Sequence, residues 1–234
     1  MKNSQSKNIQ NLKMENRPVL FGSHNTMSYL KPNFRGLQWL LWPFIMIVYY
    51  ITSRCQSDAL YNQFKKGARV FDLRICSRRY LKPELNNWIF AHGILRFDER
   101  VHAYDVIKEL HKMAKENNTK VYIRIILEQC IDIVDERNFE SFCQEICNRF
   151  NDDHAVFFGG NRRADWEKLY TFPKNSLDFN DINNNQWVSS MASDAKWYEK
   201  ICPYLYAKRM NSTNFNKMRY LTNLFDFIPT KHWI

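Results

Sequence analysis

Four apolar runs in this chain each end on residues that can move a proton or hold an anion. Pro18-Val19-Leu20-Phe21 leads into Gly22-Ser23-His24-Asn25-Thr26, and Val70 and Phe71 lead into Asp72-Leu73-Arg74. Trp88-Ile89-Phe90-Ala91 ends at His92-Gly93, and Leu224-Phe225 ends at Asp226-Phe227. A strand buried along its length and wet only at its carboxyl end has this pattern, because the apolar part packs while the polar end meets a ligand or water. Period-2 geometry puts Asp72 and Arg74 on one face of their strand.

Helix signals fall between these runs. Ser57 to Lys66 carries Leu60 and Phe64 four apart and closes on Gly67 as a C-cap. Val101 to Asn117 is amphipathic, with Val106, Leu110 and Met113 on one face, and Arg137 to Phe150 carries Phe142, Ile146 and Phe150. Val121 to Leu127 is a β-branched strand with Glu128 at its end, and Ala155 to Phe158 with Gly159-Gly160 is a fifth strand and turn. Later, Leu169 to Phe172 and Trp187 to Met191 are candidate strands around the Asn-rich loop Asn175 to Asn185, and Tyr198 to Met210 is a candidate helix. The alternation predicts an α/β fold, a TIM-like (β/α)8 barrel with function at the carboxyl ends of its strands. At 234 residues that barrel must be trimmed or irregular in its second half.

The chain is read as a polar, disordered basic arm over 1–17 followed by one domain over 18–234. The arm has no apolar core of the kind a secretory signal needs, so the expected location is cytoplasmic and peripheral at membranes. Leu37 to Ile51 is the one strongly apolar stretch; it is shorter than the ~20 residues of a span, and Pro43 interrupts it. It is read as a buried helix or a hydrophobic lip beside the site, its tryptophans and tyrosines suiting a lipid interface. A net charge of +10 favours polyanionic partners, either nucleic acid or an anionic membrane. No zinc-finger spacing, basic-aromatic repeat or helix-turn-helix pattern supports nucleic acid, which leaves the membrane. The six cysteines include no C-x-x-C pair and are read as reduced, mostly buried thiols. The chain is read as a monomer.

Two imidazoles, an arginine and two carboxylates at one sheet edge suit the cutting of a phosphodiester by a neighbouring hydroxyl. One imidazole takes the hydroxyl proton and the other protonates the leaving oxygen. The arginine offers a planar charged fork to the phosphate, and a carboxylate behind an imidazole fixes its tautomer. Asp72 and Arg74 also fit a plain internal salt bridge.

In order and spacing, these blocks resemble the X domain of phosphatidylinositol-specific phospholipase C. Gly22 to Thr26 is similar to that family's first catalytic loop, and Gly67-Ala68-Arg69-Val70-Phe71-Asp72-Leu73-Arg74 to its second strand. His92-Gly93 is similar to its second histidine motif, and Asp226 to an aspartate on the last strand of bacterial members. The resemblance runs from Pro18 to Glu128 and returns at Asp226, leaving Cys130 to Met218 uncovered. It implies a phosphodiesterase acting on a phosphoinositide or related phospholipid headgroup at a membrane surface, through a cyclic phosphate. His24 would be the base, with Asp226 behind it, His92 the acid, and Arg74 the stabiliser of the phosphate, with Asp72 beside it. Asn25 and Arg74 are the expected phosphate-binding residues; outside the resemblance, Arg162 and Arg163 just after Gly159-Gly160 fit either headgroup binding or a solvated basic loop. Calcium-dependent members place an acidic ligand where Arg74 stands here, so no cofactor is expected; the alternative is calcium held by Asn25, Asp72 and Glu128. Asn25 replaces the aspartate of the bacterial members, and this motivates a second reading, a catalytically silent relative that binds anionic lipid membranes.

Overall fold

The structure is a computed structural model and describes residues 20–33, 40–78, 84–129, 133–150, 152–160, 185–215 and 222–227. The expected arm over 1–17, Arg163 and the candidate strand at 169–172 lie outside the described residues. Strand β1 (Leu20–Ser23) is followed by helix α1 (Trp42–Val48), which runs without a break into a π-helical turn (Tyr49–Ser53). Helix α2 (Leu60–Lys65) then leads to the long strand β2 (Val70–Ser77). Next come β3 (Trp88–His92), β4 (Leu95–Arg96), α3 (Ala103–Glu116), β5 (Val121–Gln129), α4 (Ile133–Phe150) and β6 (Ala155–Gly160). The last elements are β7 (Asn185–Val188), α5 (Trp197–Ile201), α6 (Pro203–Phe215) and β8 (Thr222–Phe225).

Six strands form one curled parallel sheet in the order β7-β8-β1-β2-β5-β6, so the first and last described strands lie side by side. Val70, Phe71, Leu73 and Ile75 of β2, and Val121, Ile123 and Ile125 of β5, are buried. Helix α3 covers the sheet through Val106, Ile107, Leu110 and Met113, the face its periodicity set out. Trp88 packs on Phe139 and Phe142 of α4. The result is a curled part-barrel in a mixed α/β chain.

Three expectations need correction. A (β/α)8 barrel would have β3 parallel to its neighbours, yet it pairs antiparallel with the end of β2 and turns back through β4. Only residues 78–87 separate β2 from β3, and a parallel crossover needs a dozen or more. The buried-helix reading of Leu37 to Ile51 also fails, since α1 buries none of its residues. A segment apolar on every side carries no periodic signal to say which face is covered. Its anchor is Tyr49, which packs on Phe97 and donates its hydroxyl to the Ser28 carbonyl at 2.9 Å. Finally, the single helix from Tyr198 to Met210 is two helices, broken at Cys202, because Pro203 cannot continue the first and begins the second.

Close strand approach fixes Gly22. It is registered against Val70, and a Cβ there would lie 2.0 Å from the Val70 carbonyl oxygen. Urea unfolding should find Gly22→Ala destabilised by about 3 kcal/mol, the upper range for overpacking a rigid core.

Candidate active site

β2 supplies the centre of the site. Asp72 and Arg74 face inward from alternate positions, and Arg124 stands level with Asp72 on the neighbouring β5. The Asp72 carboxylate accepts from Arg74 Nε (3.0 Å) and the Asn25 amide (3.0 Å) on Oδ2, and from Arg124 Nη1 (2.7 Å) on Oδ1. All three side chains are buried. Burial alone would raise the Asp72 carboxyl, but the Arg74 and Arg124 guanidiniums, with smaller help from His24 and the Asn25 amide, hold it well below the ordinary range. Burial likewise opposes the charge on Arg74, and Asp72 and Glu128 more than restore it. Accepting that amide bond places Asn25 in the left-handed region, φ 47°, which asparagine tolerates better than most residues.

The loop after β1 then carries His24 across to β8. Its Nδ1 meets Asp226 Oδ1 at 2.5 Å, and the other Asp226 oxygen accepts the Ser190 amide at 2.7 Å. A carboxylate can only accept, so Nδ1 carries the proton and Nε2 has the lone pair. That lone pair accepts Arg74 Nη2 at 2.6 Å. Trp187 covers this arrangement, its ring 5.1 Å from the His24 ring and 5.1 Å from the Arg124 guanidinium. His24 and Arg74 are each 1% exposed.

His92 approaches from the opposite side on β3, its ring edge-on to His24 with centroids 6.4 Å apart. Its Nδ1 lies 2.8 Å from the Ser53 carbonyl. The structure therefore brings together His24, Asn25, Asp72, Arg74, His92 and Asp226. Glu128 stands beside them, accepting the Gly93 amide at 2.6 Å and facing Arg74 Nη1 at 3.7 Å. Two buried donors, Arg74 Nη1 and Asn25 Nδ2, have no hydrogen-bond partner among the described residues.

Several residues of the site escaped the sequence reading. Arg124 is one, although a lone charge inside a buried β-branched strand is itself a signal, since such a charge must be paired. Cys55 is another. Its Sγ, a His24 nitrogen and an Asp226 oxygen all lie within 4.8 Å. Burial and the Asp226 charge push the thiol well up, so it stays protonated and donates to Asp226. Gln56 is a third: its side-chain amide donates to the carbonyls of His24 (2.9 Å) and Phe225 (2.8 Å), tying β1 to β8. Nothing in the sequence marks it.

The residues do not fit a calcium ion. Both oxygens of Asp72 are taken by guanidiniums and an amide, and Glu128 bonds the Gly93 amide. Two permanent cations occupy the place where a hard cation would need more oxygen ligands.

No family model matches the sequence, and no curated protein matches it. Among solved structures the chain is similar to the phosphatidylinositol-specific phospholipase C from Listeria monocytogenes, at 14% identity and a TM-score of 0.50. The match covers 89% of this chain and 88% of that one. At this identity the likeness is one of fold, and it supports the trimmed-barrel character of the sheet. Among the described residues, no helix is long and apolar enough to cross a membrane.

Asp72→Asn breaks a buried ion cluster and should cost about 3–5 kcal/mol in chemical denaturation. Because the folded Asp72 carboxyl lies below its unfolded value, its contribution is present above about pH 3.9 and is lost as pH falls through the folded value. Below about pH 4, stability of the parent chain should therefore fall more steeply than that of Asp72→Asn.

Proposed function

We propose that this chain is a phosphodiesterase that cleaves the headgroup from a phosphoinositide or related phospholipid by internal attack of a hydroxyl, releasing a cyclic phosphate. One observation carries the reading: two imidazoles stand edge-on 6.4 Å apart with a guanidinium on one of them, and two buried donors of the same site, Arg74 Nη1 and Asn25 Nδ2, have no acceptor among the described residues. A buried donor without an acceptor costs about 1–3 kcal/mol. The non-bridging oxygens of a phosphodiester would accept from both.

The chemistry follows from what stands behind each ring. His24 has a carboxylate at Nδ1, and a carboxylate stabilises the imidazolium that a base becomes. His92 has a neutral carbonyl there and gains less on protonation, which suits an acid. In the proposed step the phosphate draws the Arg74 guanidinium off His24 Nε2. The headgroup hydroxyl then gives its proton to that nitrogen and its oxygen closes onto phosphorus. The bond from phosphorus to the lipid oxygen breaks, and that oxygen takes the Nε2 proton of His92. Negative charge gathering on the phosphoryl oxygens faces Arg74. No metal takes part, in keeping with the guanidinium-filled centre.

Lipid as substrate draws on the surface. Leu40 (77% exposed), just before α1, Phe44 (70%) and Ile47 of α1 and Tyr50 of the π-turn are all exposed apolar side chains. α5 and α6 pack beside that turn and add Trp197 (74% exposed) and Tyr204. This face runs into the turn whose Ser53 carbonyl meets His92, on a chain of charge +10, and it suits an anionic bilayer. A second reading, a silent lipid-binding protein, draws on the same face and on the burial of His24 and Arg74.

The test is incubation with phosphatidylinositol in anionic vesicles, with phosphorus NMR of the soluble product. A cyclic phosphate is expected, unchanged in yield by a chelator. His24→Ala and His92→Ala should each lower turnover by at least ~10²-fold. Arg74→Lys should lower kcat as well, because an ammonium lacks the bidentate fork. Vesicle binding without any soluble phosphate would favour the silent reading and end this one.

A further inference from the structure

Helix α1 does not end as an ordinary helix. Its last turn is widened, with the Arg54 amide reaching five residues back to the Tyr49 carbonyl at 2.9 Å. Such turns carry one residue too many and are seldom kept without a local use. Here both ends are pinned. Tyr49 is held by its bond to the Ser28 carbonyl, and the Ser28 hydroxyl accepts the amides of Cys55 (2.9 Å) and Gln56 (3.0 Å). The Cys55 carbonyl in turn accepts the Phe227 amide at 2.6 Å. Between those pins, the last residue of the turn, Ser53, aims its carbonyl at His92 Nδ1.

We propose that the π-turn Tyr49–Ser53 is a positioning element for His92, with the Ser53 carbonyl as the fixed acceptor that keeps a proton on Nδ1 and reserves Nε2 for transfer. A carbonyl oxygen has no proton to give, so the contact exists only when Nδ1 is protonated. The ring is thereby held in one orientation as the imidazolium and in the Nδ1-protonated tautomer once it has given up its Nε2 proton. The extra residue is what aims the carbonyl. Each helical residue turns the backbone by about 100°, so a four-residue return would swing that carbonyl off the ring. The turn also joins His92 to the rest of the site, because the segment after it bonds the His24 and Phe225 carbonyls through Gln56.

This inference rests on the proposed acid role of His92, but its first test needs no turnover. Nitrogen NMR of histidine-labelled protein at about pH 8, where a ring of ordinary basicity is neutral, should show His92 protonated at Nδ1. The signal is assigned by its loss in His92→Gln. An Nε2-protonated His92 overturns the proposal whether or not the chain is an enzyme. The second test deletes Ile51, a half-exposed residue of the turn, and uses a water-soluble inositol phosphodiester so that vesicle binding does not enter. The expected result is loss of the Nδ1-protonated signal and a fall of about 10²-fold in kcat at nearly constant KM. The downfield proton of the His24–Asp226 bond should persist and show that the remainder of the site is intact. A deletion variant that keeps both the His92 tautomer and the turnover overturns the proposal. Should the deletion prevent folding, the tautomer in the parent protein still decides. Should the parent protein have no turnover, the function falls while the tautomer is read independently.

Discussion

Asp72 is a carboxylate wholly shut off from the solvent surface, and the interior of this protein is arranged around that. It lies between two guanidiniums and takes a backbone amide as well. Removing any of those donors leaves a charge in a medium that does not tolerate it. The three contacts come from three strands or their ends, so the ion cluster also sets how β1, β2 and β5 sit against one another. A backbone bond from the Thr26 amide to the Asp72 carbonyl (2.9 Å) fastens the same loop a second time. His24, next to Asn25 in that loop, inherits its position from the bonds that Asp72 makes to its neighbours.

Both imidazoles follow one rule with different partners. Each sets its Nδ1 against an oxygen that has no proton to return, which leaves the other nitrogen for chemistry. For His24 the oxygen belongs to a charged side chain just past the last described strand. For His92 it belongs to a backbone carbonyl at the end of a helix. A site built from two such halves distinguishes its rings by what stands behind them, and this asymmetry is geometric before it is chemical.

Part of this was legible. The alternation in Phe71-Asp72-Leu73-Arg74 placed two charges on one face because a strand has no other way to arrange them. The run into His24 and the run into Asp226 were legible as strands that end in polar residues. Their adjacency was not, since strand order depends on contacts between distant segments. Arg124 left a trace in the sequence that went unread. Ser53, Cys55 and Gln56 left none: two of them act through carbonyls or through burial, and a backbone oxygen has no letter in the sequence. The antiparallel turn of β3 could have been foreseen from the short link before it. The exposure of α1 could not, because uniform apolarity describes a buried helix and a bare one equally well.

One feature of the topology reaches into the life of the molecule. The histidine at position 24 and the aspartate behind it are separated by 202 positions, and the strands that bear them are neighbours. During synthesis, which proceeds from the amino end, the first imidazole exists for most of the process without its counter-charge. The nascent polypeptide leaves the ribosome with this pair unassembled, and the carboxylate reaches the ring only when the last described strand pairs with the first.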